Sequence, residues 1–133
     1  MFTVTREIPF CYGHRLMDYA GKCRHPHGHN GRAEIELSAE ELDKRGMVRD
    51  FEEIKTHVQT WIDRHLDHQM LLRKDDPLAD ILKKMGEPFY LMDGNPTAEN
   101  IAREIFRVAR EQGLPVTRVT LWETEKSCAT YKP

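Results

Sequence analysis

Two stretches of alternating hydrophobicity constrain this chain more than any other feature. Phe2, Val4, Ile8 and Phe10 occupy even positions, interrupted only by Arg6, and Ala33, Ile35 and Leu37 alternate with Glu34 and Glu36. Side chains that repeat every two residues share one face of a strand, so residues 2–10 and 32–37 are each expected to form a half-buried strand. The Gly- and His-rich stretch between them reads as a long irregular loop. The period then changes. Phe51, Ile54, Val58, Ile62 and Leu66 fall three or four apart, as do Ile101, Ile105 and Val108 before Gly113. That spacing predicts two long amphipathic helices.

Asp50 and Glu53 are spaced as a capping box ahead of the first helix. Ser38 and Glu41 repeat the spacing, which predicts a short helical turn from Ser38 to Arg45 stopped by Gly46. Residues 73–96, broken by Pro77, Gly86, Pro88, Gly94 and Pro96, read as a surface excursion with a short helix near Leu78 to Lys84. Thr117 to Thr124 and Ala129 to Lys132 complete the set as strands. The expectation is one α+β domain over residues 1–133, a four-stranded antiparallel sheet with two long helices on one face. Such a sheet keeps two open edges and one uncovered face, which points to closure by self-association.

Composition narrows the partners. The net charge is −2 with basic residues scattered, which gives no basic stripe for nucleic acid. No apolar run approaches the roughly 20 residues of a membrane helix. The first residues lack the apolar stretch of a secretory signal, and three cysteines are too few for a disulfide scaffold. A cytoplasmic protein with reduced thiols is expected.

The chemistry concentrates in Cys23-Arg24-His25-Pro26-His27-Gly28-His29, four potential metal ligands within seven residues. In an extended segment His27 and His29 project to the same side and can close on one ion. Neutral imidazoles suit zinc, and a catalytic zinc keeps three protein ligands and an open fourth position. His14, after the first strand, is the leading third ligand. A closed structural site using Cys23 and three histidines is the rival, and a loop of solvated histidines the bland alternative. His57 and His65 belong to the first long helix and read as solvated. Asp67 and His68 can polarise one another for proton transfer, although a charged helix end with a favourable His is the simpler local reading. Glu123 shares a strand face with Val119 and Leu121. It either emerges into water at the strand end or accepts paired hydrogen bonds from an amidine-like heterocycle.

Taken in order, these residues resemble the 6-pyruvoyl- and 6-carboxy-tetrahydropterin synthase family over nearly the whole chain. Phe10 to His14 with Leu16, Cys23 followed by His27-Gly28-His29, and Gly46-Met47-Val48 with Asp50-Phe51 and Lys55 match the family's motifs. Leu66-Asp67-His68, Pro96-Thr97 with Glu99-Asn100, and Glu123-Thr124 follow in family order. The resemblance implies a tunnelling fold (T-fold), in which three subunits build a barrel, two trimers commonly stack into a hexamer, and active sites lie between subunits. It implies Zn2+ on His14, His27 and His29, Cys23 as the proton-abstracting thiolate, and Asp67 with His68 completing the relay. Glu123 would anchor the pterin, with Thr97 and Glu99 as further pocket contacts.

The implied substrate is a pterin triphosphate, 7,8-dihydroneopterin triphosphate, whose side-chain hydroxyls zinc would acidify. Nearby positive charge would favour the thiolate of Cys23. Three residues between Cys23 and His27 resemble the bacterial 6-carboxy enzymes of queuosine biosynthesis, which release acetaldehyde and triphosphate. The 6-pyruvoyl synthases, and a zinc-stabilised pterin binder without turnover, are the alternatives. The chain departs from the family at Tyr12-Gly13, where a small pair is usual, at His25, and in the length of residues 73–94. Arg15 and Lys126 are the basic residues considered for the triphosphate, without assignment.

Overall fold

The alternating N-terminal pattern runs further than its hydrophobic signature. Strand β1 spans Phe2–His14 and β2 spans His27–Ala39, paired antiparallel from Phe2 opposite Ala39 to His14 opposite His27. The computed structural model describes residues 1–133. Much of the segment expected to be loop is therefore strand, and the irregular stretch 15–26 holds only a 3-10 turn at Lys22–Arg24. Gly13 pairs with Gly28, and a Cβ at Gly28 would stand 3.0 Å from the Tyr12 carbonyl oxygen. Glycine lets the backbones come this close, so the ladder continues to the histidines.

The sheet has six strands, not four, in the order β4-β3-β1-β2-β5-β6. The additions are β3 (Gln69–Arg73) and β4 (Phe89–Met92), and β5 (Val116–Thr124) and β6 (Ser127–Tyr131) complete it. β3 runs parallel to both β1 and β4, so the sheet is mixed rather than antiparallel. Adjacent Leu71 and Leu72 are both fully buried. A strand covered on both faces has no alternation to betray it. The expected surface excursion thus contributes β4 as well as a short helix.

The first long helix is a continuous rod of α1 (Phe51–Ile54), a π-helical turn at Lys55–Gln59, and α2 (Thr60–His65). The Asp50 and Glu53 capping box is formed, with the Asp50 N–H donating to Glu53 at 3.3 Å. Ile54, Val58, Ile62 and Leu66 are fully buried. Residues every fourth position drift about 40° per step around a regular helix, and the wider π turn brings them back into line. Phe51, assigned to the same buried face, instead stays half exposed. The helical turn expected from Ser38 to Arg45 is absent. Ser38 is held in the β1–β2 ladder opposite Thr3, and its Oγ lies 3.1 Å from the Thr3 hydroxyl and 3.0 Å from that of Thr117.

The short helix α3 covers Leu78–Met85 and stops at Gly86, which adopts the left-handed conformation. The last helix, α4 (Ala98–Glu111), is capped by the Thr97 hydroxyl, which accepts from the Asn100 N–H at 3.2 Å. Both long helices pack on the same sheet face. One core of 22 residues joins Ile8, Ala33, Ile35, Val119 and Leu121 of the sheet to Ile54, Ile62, Ile101 and Ile105 of the helices. Each buried Ile, Val or Leu among them contributes about 1.5–3 kcal/mol. No helix is long and apolar enough to cross a membrane. The core-facing row of β1 runs Ile8, Phe10, Tyr12, His14, so the apolar row ends on a histidine.

Candidate metal centre and adjoining pocket

His14 and His27 face one another across the β1–β2 ladder, and His29 lies two residues further along the same side of β2. One ring nitrogen from each lies within 4.8 Å of the others. The Nε2 atoms of His14 and His27 are 3.0 Å apart. Both rings are oriented from behind. Nδ1 of His14 donates to the Pro96 carbonyl and Nδ1 of His27 to the His25 carbonyl, each at 2.7 Å. Those carbonyls can only accept, so in the neutral rings each Nε2 carries a lone pair.

Two lone pairs facing at 3.0 Å repel, and a cation between them removes the conflict. Tetrahedral zinc with Zn–N near 2.0–2.1 Å sets ligand nitrogens about 3.3–3.4 Å apart, close to this spacing. Burial holds the pKa of His14 and His29 below the usual imidazole value; neighbouring imidazoles push the same way, while Glu123 opposes. The neutral form that a metal requires is therefore favoured. The donor set fits a metal ion, with orienting partners of the kind that tune metal-bound histidines.

Glu123 extends the inner row of β5 to this cluster, its Oε1 lying 3.3 Å from Nε2 of both His14 and His29. Beside them opens a pocket of about 230 Å³ lined by His14, Cys23, Thr97, Glu99, Glu123 and Cys128, among others. Seven of the nine residues singled out from sequence thus converge: His14, His27 and His29 as a triad, Cys23 and Glu123 beside it, and Thr97 and Glu99 at the start of α4. Asp67 and His68 stand apart. His68 lines a separate cavity with Cys11, His27 and Met70, and the pair packs against the edge of β1 that meets β3. There the Cys11 N–H donates to Asp67 Oδ1 at 2.9 Å, and the His68 N–H donates to the Cys11 carbonyl. His68 has a positive φ of 58° and an exposed ring, whose Nδ1 is 2.8 Å from Asp67 Oδ2.

Several site-shaping residues carried no signal in the sequence. The Pro96 and His25 carbonyls act through backbone, which residue type does not reveal. Arg15 forms a bidentate ion pair with buried Asp76, and Asn95 clasps the Met17 backbone through both its amide atoms at 2.8 Å. Burial opposes ionisation of Asp76, but hydrogen bonds from Arg15 and the Leu78 N–H hold its pKa below the usual carboxylate range. These contacts tether the chain after His14 to residues 76 and 95–96, and they leave Arg15 occupied. Cys128 was a third thiol with no assigned role, yet it lines the pocket of Cys23.

Sheet, helices and histidine cluster define a tunnelling-fold protein. The solved structure of an uncharacterized protein from Wolinella succinogenes superposes with a TM-score of 0.81 at 28% identity, covering 98% of this chain and 97% of that one. The 6-pyruvoyl tetrahydropterin synthase of Caenorhabditis elegans follows at 0.75 and 26%, covering 99% and 95%. The chain belongs to the 6-pyruvoyl tetrahydropterin synthase family, whose model matches residues 3–133. It is 41% identical to the 6-carboxy-5,6,7,8-tetrahydropterin synthase of Rickettsia typhi, over 94% of this chain and 96% of that one. The enzyme of that name from Haemophilus influenzae is 31% identical, over 99% of both chains.

Proposed function

We propose that this chain is a zinc-dependent 6-carboxy-5,6,7,8-tetrahydropterin synthase acting in queuosine biosynthesis. It would convert 7,8-dihydroneopterin triphosphate, with water, to carboxytetrahydropterin, acetaldehyde and triphosphate. The observation that carries the reading is a three-imidazole cluster beside a pocket that His14 of that cluster shares with the Glu123 carboxylate and the Cys23 thiol. The names of the Rickettsia and Haemophilus relatives support the 6-carboxy product.

Zinc held by His14, His27 and His29 would supply Lewis-acid polarisation of the substrate's side-chain oxygens. Glu123 accepts paired hydrogen bonds from the amidine-like edge of the pterin, which fixes the ring against the triad. Thr97 serves through its position at the pocket wall, since its hydroxyl already caps α4, and Glu99 adds a second carboxylate there. Cys23 removes the proton from the side-chain carbon next to the ring. The triad supplies three ligands without it, which leaves the thiol free for this work.

Asp67 and His68 complete the relay from a neighbouring subunit of a trimer or hexamer. Asp67 fixes Nδ1 of His68 and leaves Nε2 facing outward to move a proton. Open sheet edges support such assembly: β6 is unpaired on its outer side, and β1 meets β3 only over Tyr12–His14. An exposed relay that lines a different cavity from that of its own Cys23 is placed to serve another chain.

The Caenorhabditis neighbour keeps 6-pyruvoyl tetrahydropterin as the second reading. A product assay on zinc-loaded protein with 7,8-dihydroneopterin triphosphate separates the two. Acetaldehyde in equal amount to triphosphate is the expected result. A diketo pterin without acetaldehyde would transfer the chain to the other synthase, and pterin bound but unconsumed would make it a binding module.

A further inference from the structure

Tyr12 stands in the inner row of β1 between Phe10 and His14 and is 1% exposed. Its ring stacks on Phe10 with centroids 5.2 Å apart, meets His14 edge-on at 5.3 Å, and lies 5.7 Å from His29. The space it fills comes from β2. A Cβ at Gly31 would stand 2.8 Å from Tyr12 Cε1, so a side chain at 31 and this ring exclude each other. A phenol held on three sides has little freedom to choose another position.

The hydroxyl of this ring is buried and makes no hydrogen bond of ordinary geometry. Such a group is costly unless something nearby uses it. The neighbouring acceptor is Glu123. Its ring packs against His14 and His29, the two imidazoles that Glu123 also approaches, and a neutral phenol donates. Glu123 is also drawn the other way, with Oε1 3.3 Å from the Nε2 atoms of His14 and His29. Left to itself, that carboxylate would close the metal's open position instead of meeting a ligand.

Resting on the pterin reading above, we propose that Tyr12 is a positioning residue. Its hydroxyl donates to Glu123 and turns the carboxylate toward the pterin edge and away from the metal. Gly31 is the companion that makes room for the ring. The role falls on the residue where this chain carries bulk in place of the small side chain usual in the resemblance.

The test uses the zinc-loaded protein and 7,8-dihydroneopterin as the probe, with binding followed by its fluorescence. Tyr12→Phe keeps the ring and removes only the donor. It is expected to weaken binding about tenfold in the native background and to have no further effect alongside Glu123→Ala. A second cycle needs no pterin: in denaturant unfolding of zinc-loaded protein, the two substitutions should depart from additivity by about tenfold in the unfolding constant. Wild-type affinity in Tyr12→Phe, or additive unfolding effects, would overturn the proposal. Loss of zinc from Tyr12→Phe would overturn it too, by moving the hydroxyl's role to the metal. If the native protein binds no pterin, the functional reading fails by itself, and the unfolding cycle still decides whether Tyr12 holds Glu123.

Discussion

Replacing Cys23 by alanine is expected to leave zinc bound and to lower turnover by about 10²–10⁴-fold, the usual worth of a positioned proton-transfer group. The retention of zinc follows from the triad. His14, His27 and His29 already bring three ring nitrogens within 4.8 Å, two of them oriented by backbone carbonyls. Cys23 lies on the 3-10 turn that precedes β2 and faces the pocket shared with His14 and Glu123. Its removal therefore subtracts a reacting group and leaves the ligand set whole. Metal content and steady-state rate, measured on the same preparation, check this. Loss of zinc together with activity would make Cys23 a ligand, and full activity would remove it from the mechanism.

The second large effect is a recovery. His68→Ala alone should lower turnover by about 10²–10⁴-fold, as Cys23→Ala does. Mixing the two inactive variants, dissociated and reassembled together, should restore about a quarter of native activity, the share of sites that draw both intact residues from different chains. The reason is geometric. His68 and Asp67 bond to the Cys11 backbone and His68 lines one cavity, while Cys23 lines a different one with His14 and Glu123. No recovery from a mixture shown to contain hybrid oligomers would place the relay and the thiol in the same chain's chemistry, or remove His68 from it.

The fold was legible where one face of an element is wet. The alternation in β1, β2 and β5 and the spacing along α4 both mark a boundary between core and solvent. β3 has no such boundary, because Leu71 and Leu72 are buried on opposite faces, and the sheet was underestimated by two strands. The spacing of Ile54, Val58, Ile62 and Leu66 gave a helix correctly, but not the π turn that keeps those residues on one side. The histidine cluster was legible for a different reason. His27 and His29 must share a side once the segment is extended, and pairing of Gly13 with Gly28 makes it so. The carbonyls of Pro96 and His25 and the Asp76 tether were hidden, since any residue type supplies a carbonyl and one buried aspartate resembles an exposed one.

X-ray absorption at the zinc edge, on protein loaded with one equivalent of metal, distinguishes an open three-histidine site from a closed one. One zinc per chain is expected, with three imidazole nitrogens near 2.0–2.1 Å, a light atom from solvent in the fourth position, and no sulfur. Addition of pterin substrate should change only that fourth ligand. A sulfur shell near 2.3 Å would show Cys23 consumed by a closed structural site, and the catalytic reading of this pocket would be contradicted.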